Sequence, residues 1–205
     1  MPFDIFFIAS LIGGAAFALS GFLVGLRKEL DVMGVFILSF LTANGGGILR
    51  DVFIGKTPYA LTDLTGFLTV LFVFLLSTLI FKFKDGSVER RSLFVVSDSI
   101  GLAAFSLTGA LVGVEAGLSV FGVTVLSFIT ATGGGILRDV IVSEEPSILK
   151  SDFYGSVAII VALAVYGLHR FGLDSDFNIM IVFFVSLLIR LIAFKMRWHL
   201  PRLKF

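Results

Sequence analysis

Eleven residues recur almost unchanged in this chain: Thr42–Val52 reads TANGGGILRDV and Thr130–Val140 reads TATGGGILRDV. Each block carries three features able to do chemistry. The first is a run of glycines, Gly45, Gly46 and Gly47 in one copy and Gly133, Gly134 and Gly135 in the other. The second is a set of neutral oxygens beside that run, from Thr42 and Asn44 and from Thr130 and Thr132. The third is an adjacent ion pair one turn later, Arg50–Asp51 and Arg138–Asp139. A glycine costs a helix about 0.8–1 kcal/mol relative to alanine, so three in a row predict a kink or an unwound turn. Backbone carbonyls freed there, with hydroxyl and amide oxygens beside them, suit a weakly held cation. That chemistry is permeation, not catalysis. The Arg–Asp pairs read equally as pore-mouth charges or as internal salt bridges bracing the kinks. Asp98, in VVSDSIG, has Ser10 at the equivalent position of the first copy; its carboxylate either attracts cations or pairs with one of the arginines.

The elements that must position these residues are membrane spans. Hydrophobic residues make up 57% of the 205, charged ones 15%, and the mean hydropathy is +1.05, which excludes a soluble domain. A spanning helix needs ~20 apolar residues, so the chain holds about seven with short connections. They fall at about 3–26, 32–54, 64–82, 92–114, 118–142, 153–170 and 177–195. No leader with a cleavage site precedes the first, which is expected to be retained as a span. The third, rich in bulky apolar residues, is expected to face lipid, while the first, second, fourth and fifth, rich in Gly, Ala, Ser and Thr, form the inner bundle. Gly21/Gly25 and Gly109/Gly113 form small-xxx-small faces for close packing. The triplets are assigned instead to the pore, because packing asks for small residues a turn apart.

The repeat extends well beyond the glycines. With a shift of 88, Ala15–Pro58 aligns with Ala103–Pro146 without a gap, and 26 of 44 positions are identical. Three spans per unit force the second unit to insert upside down. The expected architecture is all-α, with a first three-helix repeat over 1–88, a second, inverted one over 89–175, and a seventh helix with a basic cytoplasmic tail over 176–205. Lys and Arg number three on the N-terminal face (Arg50, Lys56, Arg170) and thirteen on the other, which predicts an external N-terminus and a cytoplasmic C-terminus in the cell membrane. Arg190 is expected to snorkel toward the cytoplasmic interface. A net charge of +1 gives no basis for nucleic-acid binding. Cysteine is absent and His169 and His199 stand too far apart to form a metal site, so no cofactor is expected. No nucleophile, base and orienting group form a set, which argues against an enzyme.

Two three-helix units each bearing GGGILRD, followed by a seventh helix, resemble the prokaryotic branch of the TRIC (trimeric intracellular cation) channels, whose repeat is also labelled a glycine-transporter domain. The resemblance covers essentially the whole chain. It implies a homotrimer in lipid, one pore per protomer, a monovalent cation (K+, with Na+ also able to permeate) as the passenger, and a pore lined by the second and fifth spans kinked at their glycines. The lysine-containing pore motif of the animal members is not evident. A small-solute carrier, for glycine or another amino acid, is the alternative use of an inverted repeat.

Overall fold

The computed structural model describes residues 5–81, 87–150, 153–196 and 198. Lys82, Lys84, Arg197, His199, Arg202 and Lys204, all on the expected basic face or its tail, lie outside them. The order is α1 (Ile5–Arg27), α2 (Val32–Phe53), α3 (Tyr59–Thr62), α4 (Thr65–Phe81), α5 (Ser87–Glu115), α6 (Val120–Ile141), α7 (Ser147–Lys150), α8 (Tyr154–Arg170) and α9 (Asp176–Lys195). Starts are set by local polar groups among apolar runs. Asp31 accepts the Gly34 N–H at 2.7 Å at the start of α2, and Ser119 accepts the Gly122 N–H at 3.3 Å at the start of α6. Among the described residues five helices are long and apolar enough to cross a bilayer: α1, α2, α5 from Arg91, α6 and α9. The apolar α4 and α8 have 17 residues each and are shorter, near 25 Å at ~1.5 Å per residue.

Contacts fix how the two copies sit. Along α1 and α5, Gly13 abuts Ala104 and Phe105, Phe17 lies on Gly101, and Ser20 bonds Asp98, so one number rises as the other falls. Along α2 and α6, Thr42 faces Gly134 and Gly46 faces Thr130. Equivalent helices are therefore antiparallel, and the two units meet as inverted copies. Phe17 and Phe105, equivalent by the shift of 88, pack ring to ring at 5.3 Å close to this centre. Even the turns repeat. Gly55 and Ser143 both adopt φ near +60°, as do Glu29 and Gly117, although only one of each pair is a glycine.

The expected unwound turn is absent from both triplets. Residues 45–47 and 133–135 are α-helical, and α2 and α6 run unbroken through them. Gly46 and Gly134 lie against the backbone of the opposite helix, which takes the place that side chains would have filled.

The inner bundle comprises α1, α2, α5 and α6, as the small residues indicate, but α8 belongs to it as well. Val157, Ala158, Val161, Ala162 and Val165 of α8 are buried in the main apolar cluster with Leu102, Leu107 and Val123. Its counterpart α4 buries only Val70 and Ser77 and exposes Phe72, Leu75 and Leu79. Side-chain size accounts for the difference, since the alanines and valines of α8 admit the close approach that the phenylalanines and leucines of α4 prevent.

Candidate functional site: the glycine crossing and its two flanks

The six triplet glycines divide into two groups by what surrounds them. Gly45, Gly46, Gly133 and Gly134 form the α2–α6 crossing. A Cβ on Gly46 would run into the Thr130 carbonyl oxygen, and one on Gly134 into the Thr42 carbonyl oxygen. A Cβ on Gly133 would stand 3.2 Å from the Gly46 Cα. Consecutive glycines are needed because the backbones themselves touch, a contact that the rule of small residues one turn apart does not cover. The third glycine of each run does something else. Gly47 faces open space, its nearest neighbour for an added Cβ being Arg50 Nη2 at 3.9 Å, whereas at Gly135 the Tyr154 hydroxyl would lie 3.2 Å away. The pairs Gly21/Gly25 and Gly109/Gly113 pack as expected, against Leu38, Ser39 and Val35 and against Leu126, Ser127 and Val123.

The flanking oxygens also divide. Thr42 and Thr130 are buried and donate to the carbonyls of Leu38 and Leu126, each at 2.6 Å; Thr132 donates to Phe128 at 2.7 Å. Those hydroxyls are occupied within their own helices. Asn44 lines a cavity, with its Nδ2 donating to the Phe40 carbonyl at 3.1 Å.

That cavity, of about 310 Å³, opens beside the first triplet, between α1, α2 and α4. Ser10, Asn44, Gly47, Arg50, Asp51 and Thr69 supply its polar wall, and Phe6, Phe7, Leu11, Ile48 and Phe105 its apolar one. Arg50 and Asp51 are each 6% exposed. Arg50 donates from Nε to Asp51 Oδ1 at 2.8 Å, its Nη2 lies 2.8 Å from the same oxygen, and its guanidinium stands over the Phe6 ring at 5.6 Å. The other carboxylate oxygen, Oδ2, accepts the Tyr59 N–H at 2.9 Å, tying the end of α2 to α3.

The second flank starts from the same parts. Arg138 donates from Nε to Asp139 Oδ1 at 2.8 Å, Asp139 Oδ2 accepts the Ser147 N–H at 2.7 Å, and Phe94 lies under the guanidinium at 4.9 Å. Each Arg–Asp pair thus braces the helix end and the following turn, not the glycines. Here, however, the places beside the guanidinium and the third glycine are filled. The cavity at this end, about 740 Å³ and lined by Leu23, Arg27, Arg91 and Phe94, has no triplet glycine in its lining. Arg138 Nη1 donates to Asp98 Oδ1 at 2.6 Å, Ser20 joins both, and Tyr154 stands on Gly135. Asp98 is spent on Arg138, so its carboxylate is not a free cation attractor. Arg190 corrects the expectation of snorkelling: it is 4% exposed, with its guanidinium 4.8 Å over the Tyr154 ring. A side chain whose charge is stacked inside the bundle has no reason to reach for the interface.

Sequence reasoning missed Tyr154, Phe6 and Phe94. The available signal was the shift of 88, which pairs Tyr154 with Gly66 just as it pairs Asp98 with Ser10. Among the described residues no group of three or more His, Cys, Asp or Glu could hold a metal ion.

An apolar helical chain whose equivalent helices cross antiparallel at paired glycines, with a partly polar cavity beside the first triplet, defines a membrane protein built on a duplicated three-helix unit. The family described as "Glycine transporter" matches it twice, over residues 7–83 and 95–170. The chain is 36% identical to the UPF0126 membrane protein YvgT of Bacillus subtilis, over 97% of this chain and 96% of that one. A prokaryotic TRIC channel crystallised in 0.5 M KCl superposes with a TM-score of 0.88 at 30% identity, covering 96% of this chain and 98% of its own. The TRIC trimeric intracellular cation channel orthologue from Rhodobacter sphaeroides gives 0.87 at 29% identity, covering 96% and 100%. The chain belongs to the TRIC family.

Proposed function

We propose that this protein is a monovalent-cation channel, passing K+ through one pore in each protomer of a homotrimer. The observation that carries the proposal is the superposition of nearly the whole chain on TRIC cation channels. The cavity that leads from one face to the α2–α6 crossing supports it. In this reading α1, α2, α4, α5, α6, α8 and α9 are the seven spans, α4 and α8 being the shorter ones. The N-terminal face is external. The path is open from the outside down to Gly47 and closed beyond the crossing by Arg138, Asp98 and Tyr154. Conduction then requires α2 and α6 to bend or part at their glycines, a motion eased by the low helix propensity of the triplets. The Asn44 amide on the cavity wall offers a neutral oxygen to a cation.

A carrier for glycine or another small solute is the second reading. One observation favours it: inverted copies with one flank open and the other filled are the arrangement from which alternating access starts. Purified protein in liposomes separates the two. A KCl gradient should set a reversal potential near the K+ equilibrium value, with no dependence on glycine. A chloride-driven potential would refute the channel, and electroneutral glycine exchange without current would establish the carrier.

A further inference from the structure

The two flanks of the crossing are internal controls for one another. On the filled flank Arg138 holds two carboxylates, Asp139 and Asp98, and the Tyr154 phenol lies against Gly135. On the open flank Arg50 holds one carboxylate, Asp51; the place of Asp98 is taken by Ser10 and that of Tyr154 by Gly66. Arg50 uses Nε and Nη2, while its Nη1, the atom whose counterpart binds Asp98, makes no hydrogen bond among the described residues, and neither does the Ser10 hydroxyl. Gly47 likewise faces space where its counterpart meets the phenol.

We infer that the cavity beside Arg50 is a binding site for a small carboxylate with a flat apolar body, such as an aryl carboxylate. The carboxylate takes the place of Asp98 on Arg50 Nη1, with Ser10 as a second donor, and the ring takes the outer part of the place of Tyr154, over Gly47. The dimensions agree. Asn44 Oδ1 stands where a Cβ on Gly66 would go, so the root of the tyrosine position is filled and the remaining cavity, ~310 Å³, is at the lower end of the range for small-molecule sites. The Phe6, Phe7 and Phe105 rings supply apolar wall for the body of the ligand. A charge-assisted bond to an arginine whose remaining donors are already fixed costs little reorganisation. The site exists whichever solute the protein passes.

The test uses the purified protein in detergent, with thermal unfolding followed by size exclusion at constant ionic strength. Sodium benzoate should raise the midpoint by roughly 5–10 °C at a hundredfold excess over its dissociation constant. Acetate, glycine and inorganic phosphate should give much smaller shifts. Ser10→Asp supplies the missing carboxylate from within, so it should start from a higher midpoint and lose the benzoate response. If that variant does not fold, Asn44→Thr with Gly66→Tyr, which copies the filled flank, carries the same expectation. No shift with benzoate, or an undiminished one in the filled variants, overturns the site; equal shifts with acetate or phosphate overturn the apolar body or the carboxylate. K+ flux on the same preparation fails or survives separately, so a benzoate shift without flux would remove the channel and leave the site.

Discussion

Gly46 and Gly47 are neighbours with opposite consequences. A methyl on Gly46 meets the Thr130 carbonyl oxygen, an atom fixed by its helix, whereas one on Gly47 meets nothing closer than 3.9 Å. Gly46→Ala and Gly134→Ala should therefore lower the folded yield or split α2 from α6, since overpacking against backbone outweighs the gain of about 0.8–1 kcal/mol in helix propensity. Gly47→Ala should fold normally and change conduction by narrowing the cavity. Yield by size exclusion and K+ flux in liposomes check the pair. A well-folded Gly46→Ala would mean that the crossing is looser than described. Asp98 gives a second prediction at this scale. Breaking a buried ion pair outright costs about 3–5 kcal/mol; loss of Asp98 costs part of that, because Arg138 keeps Asp139 while its Nη1 loses its carboxylate partner. Asp98→Ala should thus lower the unfolding midpoint, while Ser10→Ala, on the open flank, should not.

At the scale of elements, the Arg–Asp pairs connect each long helix to the short one after it, and the connection ends on opposite sides of the bundle. Lys56 and Glu144 mark those ends and are equivalent by the shift of 88. Lys56→Cys and Glu144→Cys, in a chain without native cysteine, should react with an impermeant thiol reagent from opposite sides of the membrane. Reaction from one side only would refute the inverted arrangement. Glu144 also bonds Arg27 at 2.6 Å and Lys28 at 2.9 Å. These are exposed pairs, worth at most about 1 kcal/mol, so the substitution should leave the fold intact.

At the scale of the whole molecule, the apolar surfaces of α4 and α9 are too extensive for a water-soluble monomer. Phe72, Leu75, Leu79, Phe177, Phe184 and Leu188 are all more than half exposed. Lipid or neighbouring protomers cover them. Native mass measurement of the purified protein should give three chains; a monomer that conducts would separate the pore from the trimer.

The sequence by itself determined the membrane class, the apolar segments, the duplication and the position of every Arg–Asp pair, because hydropathy, repeat and charge are written in order along the chain. Small-residue faces such as Gly21/Gly25 were legible for the same reason: helical spacing puts them on one side. The tertiary structure decided how the triplets are used and which flank of the crossing is filled. GGGILRD is identical in both copies, yet Gly135 meets Tyr154 and Gly47 meets space, and Arg138 gains Asp98 where Arg50 faces Ser10. Those differences arise between side chains on separate helices, 40 residues apart for Arg138 and Asp98. Whether such groups meet depends on distances of closest approach between helices. A local motif does not encode that quantity, and here the small residues of α8 and the bulky ones of α4 set it differently on the two sides.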